Sequence, residues 1–247
     1  MSVRRARTAR RSRRAPSQHF LRKAVAAELV RDAGVGPGDL VLDLGAGTGR
    51  LTAELAHAAR RVVAVELDAG LARRLRGRWP NVEVVEADAR EVELPGEPFR
   101  VVANLPFHGT NVVLRHLLDD PRVPLLRADL VVEWGVAVKR CLPWPSTVNG
   151  VVWSAWHTVR VERRLPRRAF RPPPSVDAGV LVFERRPQPL LPVELAGDYR
   201  RFVARGFRLG SRAVRAEPRL LDPHDWAARY LAITASGRPS GSRRPCA

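Results

Sequence analysis

Lysine is almost missing from this chain of 247 residues: it stands only at Lys23 and Lys139, so nearly all of the 43 basic side chains are arginine. Acidic residues are scarce too, 25 against those 43, and the formal net charge is +18. Coding bias would explain the arginine-to-lysine ratio, but not the excess of basic over acidic groups. Arginine's planar fork matches phosphate oxygens and stacks on bases, so the imbalance points to a nucleic acid partner. Cysteine is confined to Cys141 and Cys246, which make neither a disulfide framework nor a metal-ligand cluster. His57, His108, His116, His157 and His224 show no metal-ligand spacing either. No apolar run is long enough to cross a bilayer, and the basic start leads into no apolar segment of the secretory kind. These absences set the expectation of a cytoplasmic protein with no structural metal and no membrane partner.

What is present divides the chain into four parts. Residues 1–15 are arginine-rich without apolar periodicity and read as a flexible basic arm. From residue 16 to 185, short apolar runs alternate with helical stretches. Phe20, Leu21, Val25, Leu29 and Val30 fall at helical spacing. Residues 40–44, 62–66, 82–86, 100–103 and 129–133 read as strands, and 52–59, 69–78, 111–118 and 135–141 as helices. Residues 151–161 and 179–184 read as a final β pair. Alternating β and α elements with fully apolar strands predict a parallel sheet covered on both faces. Residues 186–235 follow a proline-rich stretch and read as a small helical domain, with helices over 199–209 and 225–231. Residues 236–247 are polar, basic and rich in Gly, Ser and Pro, and read as a disordered tail.

The chemistry-bearing residues sit at the ends of the predicted strands. Asp43-Leu44-Gly45-Ala46-Gly47-Thr48-Gly49 follows the first and opens a helix. Glycines there permit a sharp turn and close approach of a ligand to the backbone. Arg50 stands where the next spaced glycine of the dinucleotide fingerprint would begin to form, so the pattern is G-x-G-x-G rather than G-x-G-x-x-G. Glu66 ends the second strand, where a carboxylate accepts from ribose hydroxyls, and Asp88, followed by Ala89, comes just after the third, placed to accept from an adenine amino group. Asp43 adds a carboxylate able to hold a positively charged methionine moiety, which favours S-adenosylmethionine over a pyrophosphate-bearing dinucleotide. A nicotinamide-dependent oxidoreductase is the competing reading of the turn.

After the fourth strand comes Asn104-Leu105-Pro106-Phe107. The exocyclic amine of adenine is a poor nucleophile because its lone pair is delocalised into the ring. The Asn104 side-chain oxygen and the Leu105 carbonyl can hold its hydrogens, Pro106 stiffens the presentation, and Phe107 offers a stacking face. Positioning and electrostatics then suffice for methyl transfer, without a nucleophilic side chain. An ordinary Asn-x-Pro turn is the alternative.

Together, Ser17-Gln18-His19-Phe20-Leu21, Asp43 to Gly49, Glu66, Asp88, Asn104 to Phe107 and Phe170-Arg171-Pro172-Pro173-Pro174-Ser175-Val176-Asp177 resemble the ribosomal RNA adenine N6-methyltransferases, above all the Erm group. The resemblance implies a class I S-adenosylmethionine-dependent methyltransferase: a Rossmann-like α/β fold with a mostly parallel seven-stranded sheet and a small all-helical C-terminal domain. It implies methylation of an adenine in large-subunit (23S) rRNA and resistance to macrolide, lincosamide and streptogramin B antibiotics; a monomer is the default expectation for a chain whose partner is RNA. It also implies roles: Gln18, His19 and Leu21 near the methionine end of the cofactor with Gly45, Gly47 and Gly49 beside it, Glu66 on the ribose, Asp88 and Ala89 on the adenine, and Asn104 to Phe107 on the target base. The chain departs from its relatives at His19, usually Asn, at Phe107, often Tyr, and at Glu133-Trp134-Gly135, where relatives carry Gln-Lys/Arg-Glu. A small-subunit (16S) adenine dimethyltransferase and an idle RNA-binding protein on the same fold are the alternatives.

Overall fold

The computed structural model describes residues 19–107, 109–141, 146–210 and 217–235. Its centre is a seven-stranded sheet in the order β4-β3-β2-β5-β6-β9-β7, made of β2 (Leu40–Leu44), β3 (Arg61–Glu66), β4 (Val82–Glu86), β5 (Phe99–Asn104), β6 (Leu125–Glu133), β7 (His157–Leu165) and β9 (Ala178–Arg185). Neighbours from β4 to β6 pair in parallel. Strand β9 is antiparallel to both β6 and β7, so β7 runs in the same direction as the parallel strands. The mostly parallel α/β expectation holds.

Every residue of β2 is buried. A strand with both faces covered reads as a continuous apolar run rather than an alternation. One face packs against α4 (Thr110–Leu118) and α5 (Trp134–Cys141). The other packs against α1 (Lys23–Asp32) and α2 (Arg50–Ala58). Helix α3 (Ala69–Leu75) is shorter than the stretch expected to Arg78 and is capped by Asp68, whose side chain accepts from the Gly70 and Leu71 N–H groups.

Two segments differ from their sequence reading. Phe20 and Leu21 are not helical: they form a short strand, β1 (Phe20–Leu21), antiparallel to β8 (Phe170–Arg171). The partner lies 150 residues along the chain, and local spacing carries no signal of that pairing. Residues 151–156 are not strand either. They belong to α6 (Val148–Trp153) and the turn after it, and β7 begins only at His157. Residues 151–156 are buried throughout, and a continuous apolar run does not distinguish a buried strand from a buried helix. Trp153 joins the main core, whereas Trp156 packs with Tyr199, Trp226 and Tyr230 of α7 (Ala196–Leu209) and α8 (Pro223–Ala235). The C-terminal helices therefore bury their aromatic faces on α6 and Trp156.

Candidate functional site

Strand order reverses between β2, from which the chain steps outward to β3 and β4, and β5, to which it returns. The crevice at the carboxyl ends of the strands beside such a switch point is where open α/β sheets bind ligands. The turn after β2 lies here, and it is glycine-rich because Gly45, Gly47 and Gly49 have φ of 79°, 58° and 81°, which side chains disfavour. The N–H groups of Gly45 and Ala46 both donate to the Val65 carbonyl, at 2.8 and 3.0 Å. Glu66, at the end of β3 and 6% exposed, accepts from Gly47 N–H at 2.7 Å and from Asp68 N–H at 2.8 Å. Backbone donors thus aim this carboxylate into the crevice.

Asp43 is placed differently from a surface counter-charge. It is 1% exposed and accepts from the Thr52 hydroxyl at 2.6 Å. Burial, opposed by that hydrogen bond and reinforced by Glu66, pushes its carboxyl up to about 7. Asp88 stands just past β4, and both its oxygens are taken by the Arg90 guanidinium, which together with the Arg90 N–H holds its carboxyl below the usual carboxylate range. Ala89 lies beside it, half-buried.

The segment after β5 borders the same turn. A Cβ on Gly45 would lie 3.9 Å from both the Asn104 carbonyl oxygen and Pro106 Cδ, so the glycine turn and the Asn104–Phe107 segment are in contact distance. Asn104 Nδ2 donates to the His19 carbonyl at 2.8 Å, and among the described residues its Oδ1 accepts no hydrogen bond. Leu105 N–H donates to Val131 O on β6 at 3.1 Å, fixing the start of the turn. The Thr110 hydroxyl then closes it on the Pro106 carbonyl, at 2.9 Å. Phe107 is half-buried, its ring centroid 6.1 Å from that of His19, and His19 Nδ1 lies 3.0 Å from the Pro172 carbonyl oxygen. Residues far apart in sequence, 19, 45, 104–107 and 172, converge here; the family model for ribosomal RNA adenine dimethylases matches residues 9–228.

The chain belongs to the ribosomal RNA adenine dimethylase family. It is similar to an rRNA adenine N-6-methyltransferase of Corynebacterium diphtheriae, 38% identical over 161 residues, which covers 64% of this chain and 63% of that protein. A ribosomal RNA small subunit methyltransferase A of Leifsonia xyli is 42% identical over 185 residues, 68% of this chain and 64% of the relative. The chain thus spans under two thirds of the length of these relatives. The crystal structure of the 23S rRNA methyltransferase ErmE superposes with a TM-score of 0.74 at 28% identity, covering 87% of this chain and 99% of that one. For a dimethylase-family chain, the site residues expected from sequence gather at one rim of the sheet. Gln18 lies outside the described residues, and Leu21 is buried in the core next to the site.

Sequence reasoning passed over five side chains that shape this rim. Thr52 holds Asp43. Arg90 clasps Asp88. Thr110 closes the turn after β5. Arg50 Nη1 donates to the Leu21 carbonyl at 2.8 Å. The Phe20 ring lies so close to Gly47 that a Cβ there would come within 2.8 Å of it. Phe20 was named only within a motif, and Arg50 only as the residue that departs from the dinucleotide fingerprint. The other three act through contacts that exist once the strands are assembled. Among the described residues no group of His, Cys, Asp and Glu could hold a metal ion.

Proposed function

We propose that this chain transfers a methyl group from S-adenosylmethionine to the exocyclic N6 of an adenine in 23S rRNA, and so confers resistance to macrolide, lincosamide and streptogramin B antibiotics. The observation that carries this reading is the contact between the glycine turn after β2 and the Asn104–Phe107 segment after β5, which sets a base-binding turn against a cofactor turn. The residues fit the cofactor: the buried Glu66 carboxylate, anchored by two backbone N–H groups, retains lone pairs for ribose hydroxyls. Gly45, Gly47 and Gly49 leave the backbone bare, and Asp88 is the acceptor for an adenine amino group once Arg90 shares it. The bound cofactor supplies an electrophilic methyl group on a sulfonium.

The chain's own part is placement. Asn104 Oδ1 and the Leu105 carbonyl would accept the two hydrogens of N6 and draw its lone pair out of conjugation, presenting it to the methyl group that the cofactor would supply, and one N6 proton would depart to solvent. Phe107 stacks on the base, a contact worth ~1–3 kcal/mol. The adenine must leave any helical stack to reach this rim. No helix among the described residues is long and apolar enough to cross a membrane. The reading is of a monomer acting on ribosomal RNA in the cytoplasm.

The 42% identity to a small-subunit methyltransferase favours a second reading, methylation of 16S rRNA in ribosome biogenesis. Purified protein, labelled S-adenosylmethionine and separately supplied unmodified 23S and 16S rRNA decide between them. Label in N6-methylated adenine of 23S rRNA is expected. Label in 16S rRNA alone moves the chain to the second reading, and label in neither overturns both.

A further inference from the structure

The base-binding turn shares its rim of the sheet with a second, larger recess that the reaction above does not use. The recess measures about 480 Å3, and Arg22, Glu28, Arg163, Arg164 and Arg168 supply its charged groups over an apolar floor that includes Val25 and Leu165. It lies between the start of α1 and the carboxyl end of β7. Because β7 runs parallel to β5, that end is on the same side of the sheet as Asn104.

The guanidinium groups differ in what holds them. Arg163 donates to Glu28 at 2.8 Å and lies 3.6 Å from Asp32; even so, its buried Nη2 has no hydrogen-bond partner. Arg164 pairs with Asp177 at 2.7 Å and stacks over the Trp134 ring at 5.0 Å. Arg22 uses Nε on the Arg168 carbonyl, at 2.7 Å, and no carboxylate pairs with Arg22 or Arg168 among the described residues. The two are exposed and tied together at the mouth of the recess. Evenly paired arginines would signify a self-satisfied surface. Here two cations are left over at a concave place.

The recess is coupled to the base-binding turn through a short piece of chain. Asn104 holds the His19 carbonyl, His19 leads into β1, and β1 ends beside Arg22, whose N–H donates to the Ala169 carbonyl at 2.8 Å. Three steps along the chain lead from His19 to Arg22, at most about 11 Å of extended chain. We infer that this recess is a phosphate-binding surface for the RNA backbone flanking the target adenine, with Arg22 and Arg168 as its free contacts and Arg163 as a held one. The inference rests on the rRNA-methylating reading above. Charge complementarity selects the occupant: two unpaired guanidinium forks suit bidentate capture of phosphate oxygens. Such contacts fix the register of the RNA without reading its bases.

The test is binding of unmodified 23S rRNA to the full chain as a function of potassium chloride, with cofactor binding measured alongside. Arg22→Gln with Arg168→Gln is expected to weaken RNA binding about tenfold and to flatten the plot of log affinity against log salt by about one per arginine. Cofactor affinity is expected to stay as in the wild type. The paired change to lysine, which keeps the charge but not the fork, should restore the salt slope and only part of the affinity. Arg73→Gln with Arg74→Gln removes two exposed arginines from α3, by the opposite sheet edge, and should leave the salt slope near the wild-type value. An unchanged slope in the Arg22/Arg168 variant, or an equal loss in the Arg73/Arg74 variant, overturns the recess as a specific phosphate surface while wild-type methylation of rRNA leaves the enzymatic reading intact. A wild-type chain that neither binds nor methylates rRNA overturns both.

Discussion

Asp43 shows how a single side chain at the cofactor turn can cost stability for the sake of the site. An exposed aspartate titrates near 3.8, whereas burial raises Asp43 to about 7. Between those values the folded protein keeps a proton that the unfolded chain has released, so stability falls as pH rises through this window and levels off above it. Asparagine has no charge to desolvate and can still share a hydrogen bond with Thr52. Asp43→Asn is therefore expected to be more stable than the wild type at pH 8, on the order of 3 kcal/mol, with the gap closing towards pH 4. Urea unfolding without cofactor at pH 5 and pH 8 measures it, and parallel pH dependence in the two proteins would sink the argument. On the proposed reading Asn104 acts on chemistry rather than stability. Its Oδ1 accepts no hydrogen bond among the described residues and is left to the target base, so Asn104→Ala should slow single-turnover methyl transfer by about 100-fold or more. Calorimetric cofactor affinity should fall far less, by under about tenfold, since Glu66 and the glycine turn remain. Wild-type turnover in that variant would refute the role given to Asn104.

At the level of elements, what was legible in the sequence follows from whether a segment's surroundings are local. Strands β2 and β3 declared themselves because both faces are buried, and the glycines, Glu66, Asp88 and Asn104 declared themselves because strand ends space them regularly. Helix α6 was hidden for the opposite reason. It is wedged between the sheet and the C-terminal helices, so both cores demand apolar residues and the helical period disappears. Strand β1 was hidden because its partner is β8, and Thr52 and Arg90 because their partners are single carboxylates that carry no sequence period. The wedge makes a prediction. Trp156 is 1% exposed, its Nε1 donates to the Leu191 carbonyl at 2.9 Å, and its ring meets Tyr199 edge-on at 6.1 Å. Trp156→Ala should cost about 3–5 kcal/mol, felt first where α7 and α8 dock. Hydrogen exchange should show lost protection in those helices while β2, β3 and β5 keep theirs. Unchanged protection of α7 and α8 would show that Trp156 does not anchor them.

Over the whole molecule, the sequence gives the size of the charge imbalance but not its location, and location decides what the charge can do. The 25 acidic residues cannot neutralise 43 basic ones, and the structure shows how they are distributed. Many are committed in surface ion pairs, as in Arg60–Glu97, Arg61–Glu83 and Arg76–Glu86. Exposed pairs of that kind contribute little to stability, but each cancels a cation that would otherwise attract polyanions to the wrong place. Arg168, just before β8, and Arg171, within it, stand at the rim that carries Asn104 and have no carboxylate partner among the described residues. Charges within a Debye length, about 8 Å at physiological salt, add to one field, and these stand with Arg22 beside one strand pair. A net charge of +18 spread evenly would hold RNA in any orientation. Left without a carboxylate partner at this rim, Arg22, Arg168 and Arg171 favour, on the proposed reading, the orientations that bring a base to the turn after β5, which is the step a positioning enzyme needs most.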